Sequence, residues 1–241
     1  MSYGSHNPWS ANRGAAAQTA SLDIGLRQYM LSVYNYMGLA LGLTGLVAYL
    51  GQGFILNLMM SHSPMIYVII FAPLAMVIFL SSRINRMSLG TAQLVFWIYA
   101  GLVGLSLSSI FIVYTRTSIY STFFVTAATF LATSLYGYTT KRDLSSMGGF
   151  LMMGLFGLII AMVVNMFLHS EGLAMLIPIV GVIVFTGLTA WDTQQIREQY
   201  YALDDDGAAV GKSAIMGALS LYLDFINLFL MMLRFFGVRR D

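Results

Sequence analysis

Seven long apolar runs, separated by short polar links, make up the hydrophobic pattern of this chain. Each run is close to the roughly 20 residues that an α-helix needs to cross about 30 Å of hydrocarbon. The pattern therefore predicts an all-α fold: a polytopic membrane protein built as a seven-transmembrane-helix bundle. We place the spans near residues 29–50, 65–82, 88–113, 118–138, 147–168, 173–195 and 212–236.

The first twenty residues differ from the rest of the chain. Residues 1–20 are polar, small and aperiodic, and they lack the basic start, apolar run and cleavage site of a signal peptide. We expect a disordered polar N-terminal tail there, followed by a single seven-helix transmembrane domain over residues 21–241. The links between the runs are short, which favours antiparallel neighbours packed in one bundle.

Two small-xxx-small pairs, Gly38 with Gly42 and Gly157 with Ala161, lie inside predicted spans. Such pairs let helix backbones approach closely in a membrane, so we expect close helix contacts at these positions.

The composition agrees with a membrane protein. Hydrophobic residues make up 58% of the chain and charged residues only 9%, whereas soluble domains carry about 25% charged residues. A net charge of +2 is too small to suggest nucleic acid as a partner. The absence of cysteine excludes disulfides and thiolate metal sites. His6, His62 and His169 fall in the tail and outer links, so we expect neither a structural metal nor a cofactor.

The positions of lysine and arginine predict the orientation. With the N-terminus in the cytoplasm, eight basic residues face inward and only Arg116 lies in an outer link. Seven full spans would put Arg234, Arg239 and Arg240 outside, whereas a re-entrant last segment would return them to the inside. We expect seven spans because 212–236 is long enough to cross. The inward residues are Arg13, Arg27, Arg83, Arg86, Lys141, Arg142, Arg197 and Lys212.

Two acidic residues lie in apolar surroundings: Asp192 in "FTGLTAWDTQQ" and Asp224 in "LYLDFINLFL". A charge at the bilayer centre costs at least ~2.5–3.5 kcal/mol on insertion scales. Measured along their helices, the two acids lie roughly 12 and 18 Å from the same inner end, so they can meet within the bundle. Two carboxylates in contact away from water would share a proton and form a proton-sensitive element. The alternative is that each acid bonds only a neighbouring hydroxyl, amide or arginine.

Polar residues accompany both acids. Thr189 lies one turn before Asp192, while Ser220 and Asn227 lie on the same helical face as Asp224. These oxygen ligands suit hard cations, so we expect them to line a polar cavity or ion path and the two acids to bind such a cation transiently. An arginine that reached the pair could hold it closed, and Arg83 and Arg86 at the inner end of the second span are the candidates.

Three segments resemble the Bax inhibitor-1 family, also called the transmembrane Bax inhibitor motif family. The segment "LYLDFINLFLMMLRFFG" is similar to that family's last helix, and "GVIVFTGLTAWDTQQI" is similar to its sixth. The segment "GYTTKRDLSSMGGFL" resembles its fourth-to-fifth junction. The layout of a polar N-terminus followed by seven spans also matches, and the chain looks most similar to bacterial inner-membrane members.

The resemblance implies a pH-sensitive calcium leak channel, with lipid bilayer, protons and permeant calcium as its partners. It also implies that Asp192 and Asp224 act as pH sensor and gate, and that Arg83 or Arg86 acts as the latch. We expect acid to weaken an arginine–aspartate latch and so to favour the open form.

Other classes of function are compatible with parts of the sequence. The resemblance implies one main alternative, a regulatory membrane protein that modulates, or is handled by, a membrane-bound AAA protease, and the polar tail would suit that engagement. A proton-coupled transporter would use the same acids but usually shows inverted repeats, which we do not find. An enzyme is not expected, because the nearest serine motif, "GLSLSS", has no histidine partner within a span.

Overall fold

The computed structural model describes residues 8–203 and 206–240, with side chains from residue 24 onward. Residues 1–7 of the predicted tail lie outside the described residues, so their disorder stays a prediction, whereas residues 8–20 are described as helical backbone at the start of the first helix. In the described part the chain is helical and holds no β-sheet, only an isolated bridge between Tyr114 and Arg239. The helices are α1 (Pro8–Met60), α2 (Met65–Arg83), a 3₁₀ turn (Ile84–Arg86), α3 (Leu89–Leu107), α4 (Ile110–Val113), α5 (Arg116–Thr139), α6 (Ser145–Leu168), α7 (Glu171–Tyr201) and α8 (Gly207–Phe236).

Seven helical segments of the described chain are long and apolar enough to cross a membrane, which confirms the predicted fold class. The third span is made of α3 and α4 together. The largest differences from the predicted bounds are in α1, which begins at Pro8, well before residue 29, and continues to Met60 through residues assigned to the first link. Gly51 and Gly53 do not end it, because isolated glycines are tolerated in a helix. It ends where His62 takes a positive φ of 50° before Pro64.

Hydroxyl and carboxyl side chains start several of the helices. Ser88, Thr115 and Ser170 accept a hydrogen bond from the backbone N–H three residues later, at the starts of α3, α5 and α7. Asp206 accepts one from the Ala208 N–H at the start of α8. These caps satisfy N–H groups that have no partner inside the helix, and they fix where each short link turns back into the bundle.

Helix α8 occupies the centre of the bundle. It packs against α1, α3, α5 and α7, while α2 lies against α3 and α6 lies against α7 at the periphery. The most apolar stretch of α8 is 67% buried, compared with 11% for those of α2 and α6. We call the end of the bundle where α7 finishes and α8 begins the inner end.

The last residues are held at the other end of the bundle. The Arg240 N–H donates to the Val113 carbonyl, and the Thr115 N–H donates to the Val238 carbonyl. Helix α8 therefore runs the full length of the bundle and finishes beside the link between the third and fourth spans. This arrangement agrees with seven full crossings and not with a re-entrant last segment.

Close helix contacts occur at glycines other than those predicted. Gly137 on α5 lies so near the Ala190 carbonyl of α7 that a Cβ atom would collide with it. In contrast, a Cβ atom on Gly38, Gly42 or Gly157 would meet nothing within 4 Å. The prediction of close packing at the small-xxx-small pairs was therefore wrong. Spacing within one helix does not show which face meets a neighbour.

Candidate functional site

Helices α7 and α8 bring the two predicted acids together. Asp192 is half-buried on α7, and Asp224 on α8 is 5% exposed. Their carboxyl groups lie within hydrogen-bonding reach of each other. The contact forms because α7 and α8 are consecutive, antiparallel and closely packed, so residues at similar depth can face each other.

The contact requires a proton, because a carboxylate has no hydrogen to donate and two adjacent negative charges repel. No group in the described part of the chain donates a hydrogen bond to the buried Asp224 Oδ2. The remaining charged side chains described in the membrane spans lie towards span ends, as Arg27, Arg197 and Lys212 do. The pair is therefore the charge-bearing centre of the described part of the bundle.

The residues predicted to line the path are near the pair but bond mainly within their own helices. Thr189 is fully buried and donates to the Phe185 carbonyl at 2.8 Å. Asn227 donates to the Leu223 carbonyl at 2.8 Å. Ser220 is half-buried one turn before Asp224. Their oxygen atoms can still accept a hydrogen bond or coordinate an ion. Their role as residues that line the path stays a prediction.

The two candidate latch arginines do not reach the acids in this structure. Arg83 ends α2 and Arg86 ends the following 3₁₀ turn, and both side chains are exposed. The ion pair found among the described side chains joins Arg197 to Glu198 at 3.7 Å, not an arginine to either acid. Among the described side chains, neither arginine therefore forms an ion pair with Asp192 or Asp224.

Sequence reasoning missed the side chains that hold the inner half of α7. Gln194 accepts from the Leu144 N–H at 2.7 Å and donates to the Arg142 carbonyl at 2.8 Å. Arg197 donates to the Tyr138 carbonyl at 2.6 Å. These bonds tie α7 to the link between α5 and α6 and so fix the depth of Asp192. The available signal was a glutamine two residues after an intramembrane acid, in a helix that is otherwise apolar.

Hydroxyl groups add a second connection that the sequence did not reveal. Tyr34 on α1, Ser134 on α5 and Thr193 on α7 form a chain with oxygen separations of 2.6 and 2.9 Å. Thr193 also donates to the Thr189 carbonyl at 2.7 Å, so the donors in this chain run from Tyr34 towards α7. The chain joins three helices and sets the rotation of α7 next to Asp192.

The opposite face of α8 borders an open apolar groove between α1 and α5. Phe229 lies five residues after Asp224, roughly 140° around the helix, and it lines this groove together with Phe225. Thr44 lines it too, but its hydroxyl bonds the Ala100 carbonyl and the Tyr222 hydroxyl. A neighbouring cavity between α1 and α5, towards the inner end, encloses about 590 Å³ and has Arg27 at its edge. The part of the groove beside Phe225 and Phe229 therefore offers hydrocarbon and no charged side chain.

The described residues contain no group of three or more His, Asp or Glu side chains that could hold a metal ion. Two carboxyl groups in contact can bind a divalent cation only when the shared proton leaves. Two carboxyl groups are fewer than the roughly six to eight oxygen ligands that a resident calcium ion takes.

Comparison with known proteins places the chain among membrane proteins of several bacteria. A family model described as "Inhibitor of apoptosis-promoting Bax1" matches residues 26–241. The chain is similar to the inner membrane protein YbhL of Escherichia coli (strain K12), with 49% identity over 219 residues, which covers 90% of this chain and 94% of that protein. It is 50% identical over 227 residues to an uncharacterized protein of Rickettsia prowazekii, covering 93% and 95%. An uncharacterized membrane protein of Streptococcus pyogenes is 37% identical over 218 residues, covering 89% and 94%.

Proposed function

Because the chain belongs to the Bax inhibitor-1 family, we propose that it is a pH-sensitive calcium leak channel of the bacterial inner membrane. Its gate is the pair of Asp192 and Asp224. The observation that carries the proposal is the carboxyl–carboxyl contact between the last two spans, at a depth where an unpaired charge is costly. The inner-membrane location is supported by the seven spans and by the printed name of the Escherichia coli relative.

The pair couples protons to the conformation of the bundle. With one proton bound, the carboxyl groups satisfy each other and Arg83 and Arg86 stay outside. The exposure of both arginine side chains supports this part of the proposal. When the proton leaves, the pair carries two negative charges and attracts the nearest mobile cation, the Arg83 or Arg86 guanidinium. That latch closes the path. The open form binds more protons than the latched form, so acid favours opening.

The oxygen atoms along the contact between α7 and α8, which we call the α7–α8 seam, suit calcium as the permeant ion. Carboxylate, hydroxyl and amide oxygens are the ligands that calcium takes in proteins, and flexible sets of them bind it weakly enough to release it. Asp192, Asp224, Ser220 and Asn227 supply such atoms along one α7–α8 seam. An ion passing the pair exchanges with the shared proton, which gives a slow leak.

Calcium flux in liposomes tests the proposal. The purified protein is reconstituted around a trapped calcium dye, and the external pH is stepped between about 6 and 8. We expect flux that rises steeply towards the acid end of this range. Intact, reconstituted protein that passes no calcium at any pH would remove the channel proposal.

The orientation is part of the proposal. We infer a cytoplasmic N-terminus from the excess of Lys and Arg in the inner links, which puts residue 241 on the far side of the membrane. A reporter that is active only outside the cytoplasm, fused after Asp241, should be active. Activity of a cytoplasmic reporter at that position would reverse the assignment.

A further inference from the structure

A polar cavity opens at the inner end of the bundle, below the acid pair. It encloses about 490 Å³ and lies between the end of α7, the start of α8 and the link that follows α2. Its exposed and charged lining makes it a hydrated space. The polar residues that line it are Asn85, Gln199, Asp206, Lys212 and Ser213.

The cavity and the acids lie on the same faces of α7 and α8. On α7, Asp192, Ile196 and Gln199 follow one another at intervals of four and three residues, which keeps them on one helical face. On α8, Ser213, Gly217 and Asp224 are spaced by four and seven residues, again on one face. Each helix therefore carries a cavity residue and an acid along one line, with Ile196 between them on α7 and Gly217 the first apolar position above the cavity on α8.

Those two apolar positions meet. A Cβ atom built on Gly217 would lie 3.1 to 3.3 Å from three carbons of Ile196, so the isoleucine covers the glycine directly. Ile196 is 4% exposed and belongs to the main hydrophobic core of the bundle. Measured along the helices, the contact lies about 6 Å from Asp192 on α7 and about 10 Å from Asp224 on α8.

We propose that Ile196 seated on Gly217 is the apolar barrier between the hydrated inner cavity and the acid pair, and that it sets the rate of the leak. The inference rests on the proposed channel function. A narrow apolar constriction excludes water and ions until it widens. The acid pair then decides when the path is available, and Ile196 limits how fast an ion crosses it in either state.

The accessibility of introduced thiols tests the barrier without relying on calcium. The natural chain contains no cysteine, so a single introduced cysteine reports alone. Met216→Cys places a thiol at the cavity, and Ser220→Cys places one beyond the barrier, next to the acids. A cationic, membrane-impermeant methanethiosulfonate reagent, applied on both sides, should modify the first quickly and the second slowly. Adding Ile196→Ala should make the Ser220→Cys thiol reactive.

Calcium flux gives the second measurement. Ile196→Ala should raise flux several-fold at both ends of the pH range while keeping the pH response, with a smaller rise in Ile196→Val. Gly217→Ala should lower flux, because its methyl group tightens the contact. The matched control is Ile215→Ala, which removes the same atoms from a fully buried isoleucine nine residues before Asp224, on the opposite face of α8.

The outcomes separate the barrier from the channel. Rapid modification of Ser220→Cys with Ile196 in place would overturn the barrier, whatever the flux. Equal flux in Ile196→Ala and Ile215→Ala, in a protein whose wild type does pass calcium, would overturn it as well. A wild type without flux removes the channel proposal alone, and protection of Ser220→Cys that is relieved by Ile196→Ala would still support the barrier.

Discussion

The α7–α8 seam and the α1–α5 groove border opposite faces of the same central helix, and they differ in every property that matters for an ion. The seam is closed, holds the acid pair and is sealed by Ile196 on Gly217. The groove is open, lined by aliphatic and aromatic side chains, and wide enough at Gly38 and Gly42 that added methyl groups would touch nothing.

The difference shows that the open space of this bundle and its chemistry are in separate places. A hydrocarbon-lined groove that faces the bilayer takes acyl chains at no electrostatic cost, but it cannot replace the hydration shell of a cation. The acidic side chains lie instead between two closely packed helices, because there one carboxyl group can share a proton with the other. The predictions below test whether ion passage belongs to the seam and not to the groove.

The largest effect is expected from Asp224→Asn. An asparagine amide donates permanently to the Asp192 carboxylate and therefore imitates the protonated pair at every pH. Flux should stay near its acid level, and a pH response of roughly tenfold should shrink to less than about twofold, because a titrating proton is lost. Liposome flux across the pH range measures this.

Asp192→Asn is the matched variant from the other helix, and it should behave in the same way because the proton belongs to the pair. An unchanged wild-type pH response in both variants, with normal elution in size-exclusion chromatography, would contradict the role of the acids.

A stability difference should separate Gly137→Ala from Gly38→Ala. The first forces a methyl group into the Ala190 carbonyl where α5 meets α7, which should cost about 1–3 kcal/mol. The second adds the same methyl group beside open space and should be neutral or stabilising by up to ~1 kcal/mol. Thermal unfolding in detergent compares the two. Equal midpoints would mean that the α5–α7 contact is not as close as described.

A smaller loss is expected from Ser134→Ala. The substitution removes the bonds from Ser134 to Tyr34 and to Thr193. Hydrogen bonds between helices in membranes average ~0.6 kcal/mol, so about 1 kcal/mol should be lost. Ser121→Ala on the same helix is the control, because Ser121 bonds only carbonyls of α5. A midpoint for Ser134→Ala no lower than that of Ser121→Ala would show that the hydroxyl chain does not hold α7.

The smallest effect is expected from Gly42→Leu, which partly fills the groove. Calcium flux and its pH response should be unchanged, because the groove has no part in ion passage. A clear fall in flux, measured in the same liposomes with equal protein incorporation, would assign the path to the groove and reverse the comparison.

The sequence predicted the fold well, for a physical reason. A span of about 20 apolar residues has few structures other than a helix open to it in a bilayer, since every backbone N–H and C=O group must form its hydrogen bond within the segment. The meeting of Asp192 and Asp224 could also be predicted, because consecutive spans are antiparallel and depth follows from counting residues. The end of α1 could not, since Gly51 and Gly53 are compatible with either a helix or a link.

Contacts that depend on the rotation of each helix about its axis could not be predicted from the sequence. The pairing of Gln194 with the α5–α6 link, and the seat of Ile196 on Gly217, need the angle at which each helix presents its face. Gly38 and Gly42 were mispredicted for the same reason. Their spacing suggested a contact between helices, but they face the open groove. The sequence also did not show that Arg83 and Arg86 are exposed and away from the acids.

Infrared difference spectroscopy of the carboxyl groups during a pH titration tests the central claim most directly. We expect the stretch of a protonated, desolvated carboxyl group to disappear as pH rises, with the same midpoint as calcium flux. The band should be missing in Asp224→Asn, since Asp192 beside an amide stays ionised. A band that does not titrate where flux changes, or one that is unaltered in Asp224→Asn, would contradict a shared proton as the switch.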